Sequence, residues 1–376
     1  MHTPDTSVLR ILIAAGGTGG HVYPAIALAD AFRELVPRSV IEFAGTRHRL
    51  EWKAVPQAGY AIHPIDIEGF QRSLSARHLV FPMKVTRAFL QSWSLVRAFD
   101  PHLVIGTGGY VTGPVLWAAA RQQRPVFIQE QNAFPGVTNR LLARHARRIY
   151  VAFEEACTYF PKEKCHVMGN PVRVSLTQVD RRAGRRRWDI PEDAHVLFVF
   201  GGSLGSLALN RAMQRTYRAL LEADPRLIIL WQTGKRYYET LREQIQDHPR
   251  LRLLPYVDDM AGAYAAADLV VSRAGALTCS ELLATGTPAI LVPSPHVAAN
   301  HQHRNAEAMV QGGAARMLPE EQLDKLGRHV QELLHHPEER ARMRTHALRM
   351  AKPDAAREIV RDILQYYRIP ELTEIS

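Results

Sequence analysis

One pattern occurs twice in this chain, and it confines the fold to a narrow class. ILIAAGGTGG (11–20) and LFVFGGSLGS (197–206) both read as an apolar strand, two glycines, a hydroxyl residue, one further residue and a glycine, then a helix. A strand that turns through glycine into a helix opens a βαβ unit, and two such openings predict two wound halves. A length of 376 residues also exceeds what one ordinary core organises.

Short apolar, β-branched runs alternate with amphipathic segments along the whole chain. Strands are expected at 8–15, 39–45, 60–65, 102–106, 125–130 and 148–153, then at 195–201, 227–232, 251–255, 268–272 and 289–293. Helices are expected between them, for example over 22–35, 206–222 and 277–284. The segment from Asn170 to Arg187 reads as a proline followed by an arginine-rich, helix-poor linker. The expected domains are therefore 1–171 and 172–354, with a C-terminal helix at about 355–376 able to pack on either. The fold class is α/β, with two Rossmann-like doubly wound domains facing across a cleft.

A glycine turn at a strand end lets backbone approach a phosphate, and the following helix start offers unpaired N–H groups. An empty tight turn would need the same glycines, so one loop alone decides little. A third cluster, GTGGYVTGP (106–114), also follows a strand. Three such loops at strand carboxyl ends point to ligand binding there. Neither G-x-G-x-x-G nor G-x-x-x-x-G-K-[ST] is present: the first would need glycine at Val22 or Val111. Dinucleotide and P-loop readings fall away.

The formal charge of +10 suggests polyanionic company, whether nucleic acid, anionic lipid or phosphorylated substrate. No nucleic-acid reading motif accompanies it, so no nucleic-acid partner is expected. Three cysteines (Cys157, Cys165, Cys279) without C-x-x-C predict neither a disulfide framework nor a zinc site, and suit a reducing compartment. His296, His301 and His303 lack convincingly spaced partners, and no Asp-x-Asp is present, so no metal and no cofactor are expected. No secretory leader is read at the N-terminus, and no apolar run reaches the ~18 residues of a membrane span, so membrane contact would be peripheral.

Seven motifs occur in order: GGTGGHVYPAIALA (16–29), GTGGYVTGP (106–114), QEQNAFPGVTNR (129–140), GNPVR (169–173), GGSLG (201–205), SRAGALTCSEL (272–282) and NHQHRNA (300–306). Together they resemble the MurG-type transferase family, over roughly residues 8 to 320. The resemblance implies a GT-B type fold, with a lipid-linked acceptor on the N-terminal domain and a nucleotide sugar on the C-terminal one. It implies inverting transfer of N-acetylglucosamine from UDP-N-acetylglucosamine to the C4 hydroxyl of the muramoyl residue of lipid I, giving lipid II. It also implies the cytoplasmic face of the bacterial inner membrane, and a setting in which cell-wall synthesis proteins are partners. One departure is Asn300, where the family usually has an acidic residue.

Residue by residue, Thr18, Gly19 and Gly20 form the first phosphate-type turn. His21 follows at a helix start, where the dipole disfavours imidazolium; it is the candidate base for the acceptor hydroxyl. The same place suits a histidine that only binds phosphate or orders the loop. Tyr110 and Asn132 lie on loops after strands and would meet acceptor or sugar. Glu281 would take the ribose hydroxyls, with Ser203, Ala276, Leu277 and Thr278 near the diphosphate and Gln302 on the sugar hydroxyls. Arg173 suits a phosphate across the hinge and equally an ordinary linker arginine.

Residues 69–93 interleave Arg72, Arg77, Lys84 and Arg87 with Leu79, Phe81, Phe89 and Trp93, and Arg140, Arg144, Arg147 and Arg148 add charge in the same half. Taken alone this reads as an amphipathic helix with Phe89 and Trp93 in the core. With a polyprenyl-linked acceptor implied, it reads as a seat on an anionic membrane surface. Three other readings compete: a lipid glycosyltransferase with a different acceptor such as diacylglycerol, a nucleotide-sugar epimerase of similar fold, and a nucleic-acid-binding module.

Overall fold

The computed structural model describes residues 8–67, 81–295, 297 and 300–367, with Phe81 and Pro82 described by backbone only. The chain divides into two compact units. The first runs to Val172 and resumes at Asp354; the second is Arg173–Pro353.

The first unit is built on seven parallel strands: β1 (Arg10–Ala15), β2 (Val40–Gly45), β3 (Ala61–Pro64), β4 (Leu103–Gly108), β5 (Val126–Glu130), β6 (Ala146–Val151) and β7 (Cys165–Val167), in the order β3-β2-β1-β4-β5-β6-β7. The second has six: β8 (His195–Phe200), β9 (Leu227–Gln232), β10 (Leu251–Leu254), β11 (Leu269–Ser272), β12 (Ala289–Leu291) and β13 (Ala315–Met317), in the order β10-β9-β8-β11-β12-β13. Central strands such as Ile11–Ala15 and Val196–Phe200 are buried on both faces, which is why they read as continuous apolar runs. Each sheet reverses its winding once, between β1 and β4 and between β8 and β11. Ligands of such sheets bind at the carboxyl ends beside that switch point.

Three sequence expectations need correction. Arg181–Arg187 is a helix, because Asp180 caps it by accepting from Ala183 N–H at 2.7 Å. Its Arg185 is buried, pairing with Asp268 at 3.0 Å and donating to the carbonyls of Pro191, Glu192 and Ala194. Cys157 and Cys165 are joined as a disulfide with their Cα atoms 5.7 Å apart. The turn at Glu154–Tyr159 folds back beside β7, a proximity that an odd cysteine count does not reveal. Cys279 is a buried free thiol, and burial pushes it up to about 12. The short strands β7 and β13 were not expected: three residues carry too little periodicity to register.

The helix Ala355–Tyr367 belongs to the first unit. Ile359, Val360, Ile363 and Leu364 are fully buried in the core shared with the helix Gly19–Leu35. Asp362 receives the Tyr150 hydroxyl at 2.7 Å and pairs with Arg148, and Tyr367 donates to the His102 carbonyl at 2.8 Å. Ile363→Ala should therefore destabilise the first unit by about 2–5 kcal/mol. Calorimetry of the whole chain should show one transition lowered and that of the second unit unmoved; an unshifted profile would mean the helix is not part of that core.

Candidate functional site

In the first unit, the site is built by the loops after β1, β4 and β5. Thr18 has extended backbone (φ −132°, ψ 161°), and its carbonyl starts the helix by accepting from His21 and Val22 N–H at 3.1 Å each. No side chain caps that helix start. Gly17 N–H is held from below by the buried Glu51, whose other oxygen accepts from Thr46 N–H at 3.0 Å.

The register between β1 and β4 slips where this loop begins. Ala14 lies opposite Gly106 and Ala15 opposite Gly108, so Thr107 has no partner on β1. Bulges of this kind re-aim groups beside active sites. Here the Thr107 carbonyl lies 3.1 Å from His21 Nδ1 and accepts from Gln131 Nε2 at 2.7 Å, while its hydroxyl donates to the His21 carbonyl at 2.8 Å. A Cβ on Gly108 would meet the His21 ring at 2.5 Å, and one on Gly109 would strike the Gly16 carbonyl, so only glycine lets the two loops close on each other.

After β5, Glu130 accepts four hydrogen bonds: from the backbone and side-chain amides of Asn132 at 3.0 and 3.2 Å, from Gly136 N–H at 3.0 Å and from Asn139 Nδ2 at 2.9 Å. Asn132 is thereby turned so that its amide oxygen remains to meet a ligand. Tyr110, 59% exposed, stands on the neighbouring loop. His21, Asn132 and the first glycine turn are brought together around Thr107 and Gln131; Glu51, Thr107, Gln129, Gln131 and Glu130 had not been singled out. QEQN offered a signal for the last three, since adjacent polar residues at a strand end must find partners.

In the second unit, Gly202–Gly205 closes a tight turn (Gly205 N–H to Gly202 O, 3.0 Å) and Ser206 caps the helix Leu207–Ala223 through Leu209 N–H. Gln232 staples this loop by donating to the Gly202 carbonyl at 2.9 Å. Arg273, after β11, donates to Ser206 Oγ at 3.0 Å and pairs with Glu320 at 2.5 Å. Ser203 thus lies on a loop fastened to the one that leads into the helix Ala276–Thr285. Ala276, Leu277 and Thr278 form the first turn of that helix, again without a side-chain cap. An uncapped helix start beside a tight glycine turn at a switch point suits an anion.

Glu281 lies one turn further in, 7% exposed, accepting from the Tyr264 hydroxyl at 2.9 Å. Burial pushes its carboxyl above the usual range, opposed by the Arg173 cation and by the Tyr264 bond. Burial and the Glu281 charge push the Tyr264 hydroxyl well up as well. Arg173 therefore acts on a carboxylate of its own unit. Gln302 Oε1 accepts from Ser294 N–H at 2.9 Å, so its amide nitrogen is the group left to meet a hydroxyl. Asn300 adopts φ 53°, a left-handed conformation that asparagine tolerates. His303 pairs with Glu307 at 3.2 Å; His296 lies outside the described residues.

Comparison with known proteins finds one family in both parts of the chain. The glycosyltransferase family 28 N-terminal domain matches residues 11–151 and the family 28 C-terminal domain residues 196–359. A UDP-N-acetylglucosamine–N-acetylmuramyl-(pentapeptide) pyrophosphoryl-undecaprenol N-acetylglucosamine transferase of Salinibacter ruber is 54% identical over 96% of this chain and 97% of its own length. A protein of that name from Chlorobium limicola is 39% identical over 95% of this chain and 99% of its own length. The crystal structure of Acinetobacter baumannii MurG superposes with a TM-score of 0.71 at 30% identity, covering 95% of this chain and 99% of that one. A UDP-N-acetylglucosamine 2-epimerase from Neisseria meningitidis gives 0.68 at 14% identity, over 95% of this chain and 100% of that one, a likeness of fold alone. Two parallel-sheet α/β units, both family 28 domains and this identity over nearly the full length place the chain in the MurG-type family of GT-B glycosyltransferases.

Proposed function

We propose that this protein transfers N-acetylglucosamine from UDP-N-acetylglucosamine to the C4 hydroxyl of the muramoyl residue of lipid I, with inversion, forming lipid II in peptidoglycan synthesis. The observation that carries this reading is the 54% identity to a transferase of that name over 96% of the chain, joined to a polar site at the switch point of each unit.

In the second unit, the turn Gly202–Gly205 with Ser203 and the helix start at Ala276, Leu277 and Thr278 receive the diphosphate. Negative charge grows on the departing UDP as the C1–oxygen bond breaks, and N–H groups already aimed there stabilise it without reorganising. Glu281 accepts the ribose hydroxyls, steadied by Tyr264 and Arg173, and Gln302 donates to the sugar. In the first unit, Thr18, Gly19 and Gly20 present backbone N–H groups to the acceptor's diphosphate, and Tyr110 and Asn132 contact its sugar. His21 takes the proton of the C4 hydroxyl as its oxygen attacks C1, which removes positive charge from the nucleophile in the transition state.

The membrane seat rests on exposed apolar side chains of the first unit. Phe89 packs edge-on against Trp117, with Trp93 beside it, joining the helices Phe81–Phe99 and Thr112–Arg121. Outside this pair, Met83, Leu90 and Trp93 are exposed, as are Val137 and Leu141 on the helix Val137–Leu142, with Lys84, Arg87, Arg97 and Arg121 also exposed on the first two helices. An ordinary amphipathic helix would turn Trp93 inward. Arg72, Arg77 and Leu79 lie outside the described residues, as does the Phe81 side chain. No helix among the described residues is long and apolar enough to cross a membrane. Aromatic and aliphatic groups ringed by cations suit the headgroup layer of an anionic leaflet, which in this reading is the cytoplasmic face of the inner membrane. Association with other cell-wall synthesis proteins would follow from that location.

The test is UDP release from UDP-N-acetylglucosamine with and without a soluble lipid I analogue. Release should depend on the acceptor. His21→Ala should lower kcat by about 10²–10⁴-fold with donor KM little changed. Glu281→Gln, which keeps an acceptor for Tyr264, should raise donor KM about tenfold by weakening charge-assisted hydrogen bonds. Release indifferent to acceptor, or variants with the two effects exchanged, would overturn these roles. On vesicles, Leu90→Glu should weaken sedimentation with anionic lipid and leave turnover of the soluble analogue intact. Equal binding of variant and parent would remove this face from the membrane contact.

A further inference from the structure

Beneath the imidazole of His21 lies a row of neutral amides that the reaction as described does not use. Gln131, Gln129 and Asn170 are 2%, 0% and 2% exposed, and Thr107 beside them is fully buried. Their bonds run in one direction. Asn170 Nδ2 donates to the Gln131 backbone carbonyl at 3.2 Å, a group that can only accept. Asn170 Oδ1 is thereby turned to accept from Gln129 Nε2 at 3.1 Å. Gln129 Oε1 in turn accepts from Gln131 Nε2, which also donates to the Thr107 carbonyl at 2.7 Å. What remains of Gln131 is Oε1, and it faces His21 Nδ1 at 2.8 Å.

We propose that Gln131 is a positioning residue that fixes His21 as its Nδ1–H tautomer, through a buried amide relay anchored at Asn170. This rests on the reading of His21 as the base. Both neighbours of Nδ1, the Thr107 carbonyl and Gln131 Oε1, are acceptors, so Nδ1 carries the proton and Nε2 keeps its lone pair. Reversing any amide in the row would set like against like in a buried place, at the cost of unmade hydrogen bonds. The ring also lies against Gly108, where a Cβ would meet it at 2.5 Å, which holds its plane. A carboxylate in place of Gln131 would give the same direction but favour imidazolium, which cannot accept a proton. An amide directs the ring and adds no charge.

The experiment is long-range ¹H–¹⁵N correlation on the full chain with ¹⁵N-histidine, assigned by comparison with His21→Ala, alongside kinetics. Neutral His21 should show a protonated Nδ1 and an unprotonated Nε2. Gln131→Met should move it toward the other tautomer and lower kcat between about 10- and 10²-fold, part of what a general base contributes, with donor KM unchanged. Gln129→Met should shift the spectrum the same way by less, and it serves if Gln131→Met does not fold. An Nε2–H signature in the parent, or a Gln131→Met spectrum identical to it, overturns the relay. Should the spectra behave as expected while His21→Ala keeps full activity, the relay stands and the base assignment falls.

Discussion

Everything at the working edge of each unit depends on backbone meeting backbone where a side chain would forbid it. Gly109 sits against the Gly16 carbonyl and Gly205 against the Thr233 carbonyl, and a Cβ at either position would collide with it. Those contacts draw neighbouring βα loops to within one peptide of each other. Strand carboxyl ends and helix starts then form continuous polar rims. Glycine is required for its absence of volume as much as for its positive φ of 89° and 77° at these two places. Gly109 belongs to the third glycine cluster and Gly205 ends the second repeated turn, so the glycine-rich segments in the sequence carry the trace of this constraint.

The two rims share a topology and differ in charge. In the first unit carboxylates lie under the loops: Glu51 holds Gly17 N–H, and Glu130 gathers four donors. In the second, the loop after β8 is held by neutral Gln232 and by the guanidinium of Arg273. That guanidinium is itself paired with Glu320. The buried acid of that unit, Glu281, is set deeper and counterbalanced by Arg173.

Much of this was legible in sequence because it is local. The two glycine turns, the central strands and the helices after them announce themselves through apolar runs and turn residues within ten positions. What stayed hidden depends on distance along the chain. Gln129 and Asn170 are 41 residues apart, and His21 and Gln131 are 110 apart, so no window joins them. The slip at Thr107 is a relation between two strands and leaves no mark on either alone. The Cys157–Cys165 bond is a different case: it spans only 8 residues, and it was hidden because spacing alone does not show the return of the chain that also forms β7. The helix Arg181–Arg187 was masked by its own composition, since a run of arginines reads as solvated until Asp180 and Asp268 are seen to cap and pair it.

In the proposed role of His21 as base, the choice of amides around it has a chemical consequence. Negative charge beside any imidazole favours its protonated form. A carboxylate behind the ring, the usual way to orient a catalytic histidine, would push in that direction. Fixing the ring with Gln131, and fixing Gln131 through Gln129 and Asn170, supplies direction through dipoles whose net charge is zero. The bulge contributes the second acceptor at no electrostatic expense, because the Thr107 carbonyl is already released from the β1 ladder. In the proposed role of His21, a base that must stay unprotonated is better served by a chain of neutral amides than by an acid, and the row of Gln131, Gln129 and Asn170 behind it contains no ionisable side chain.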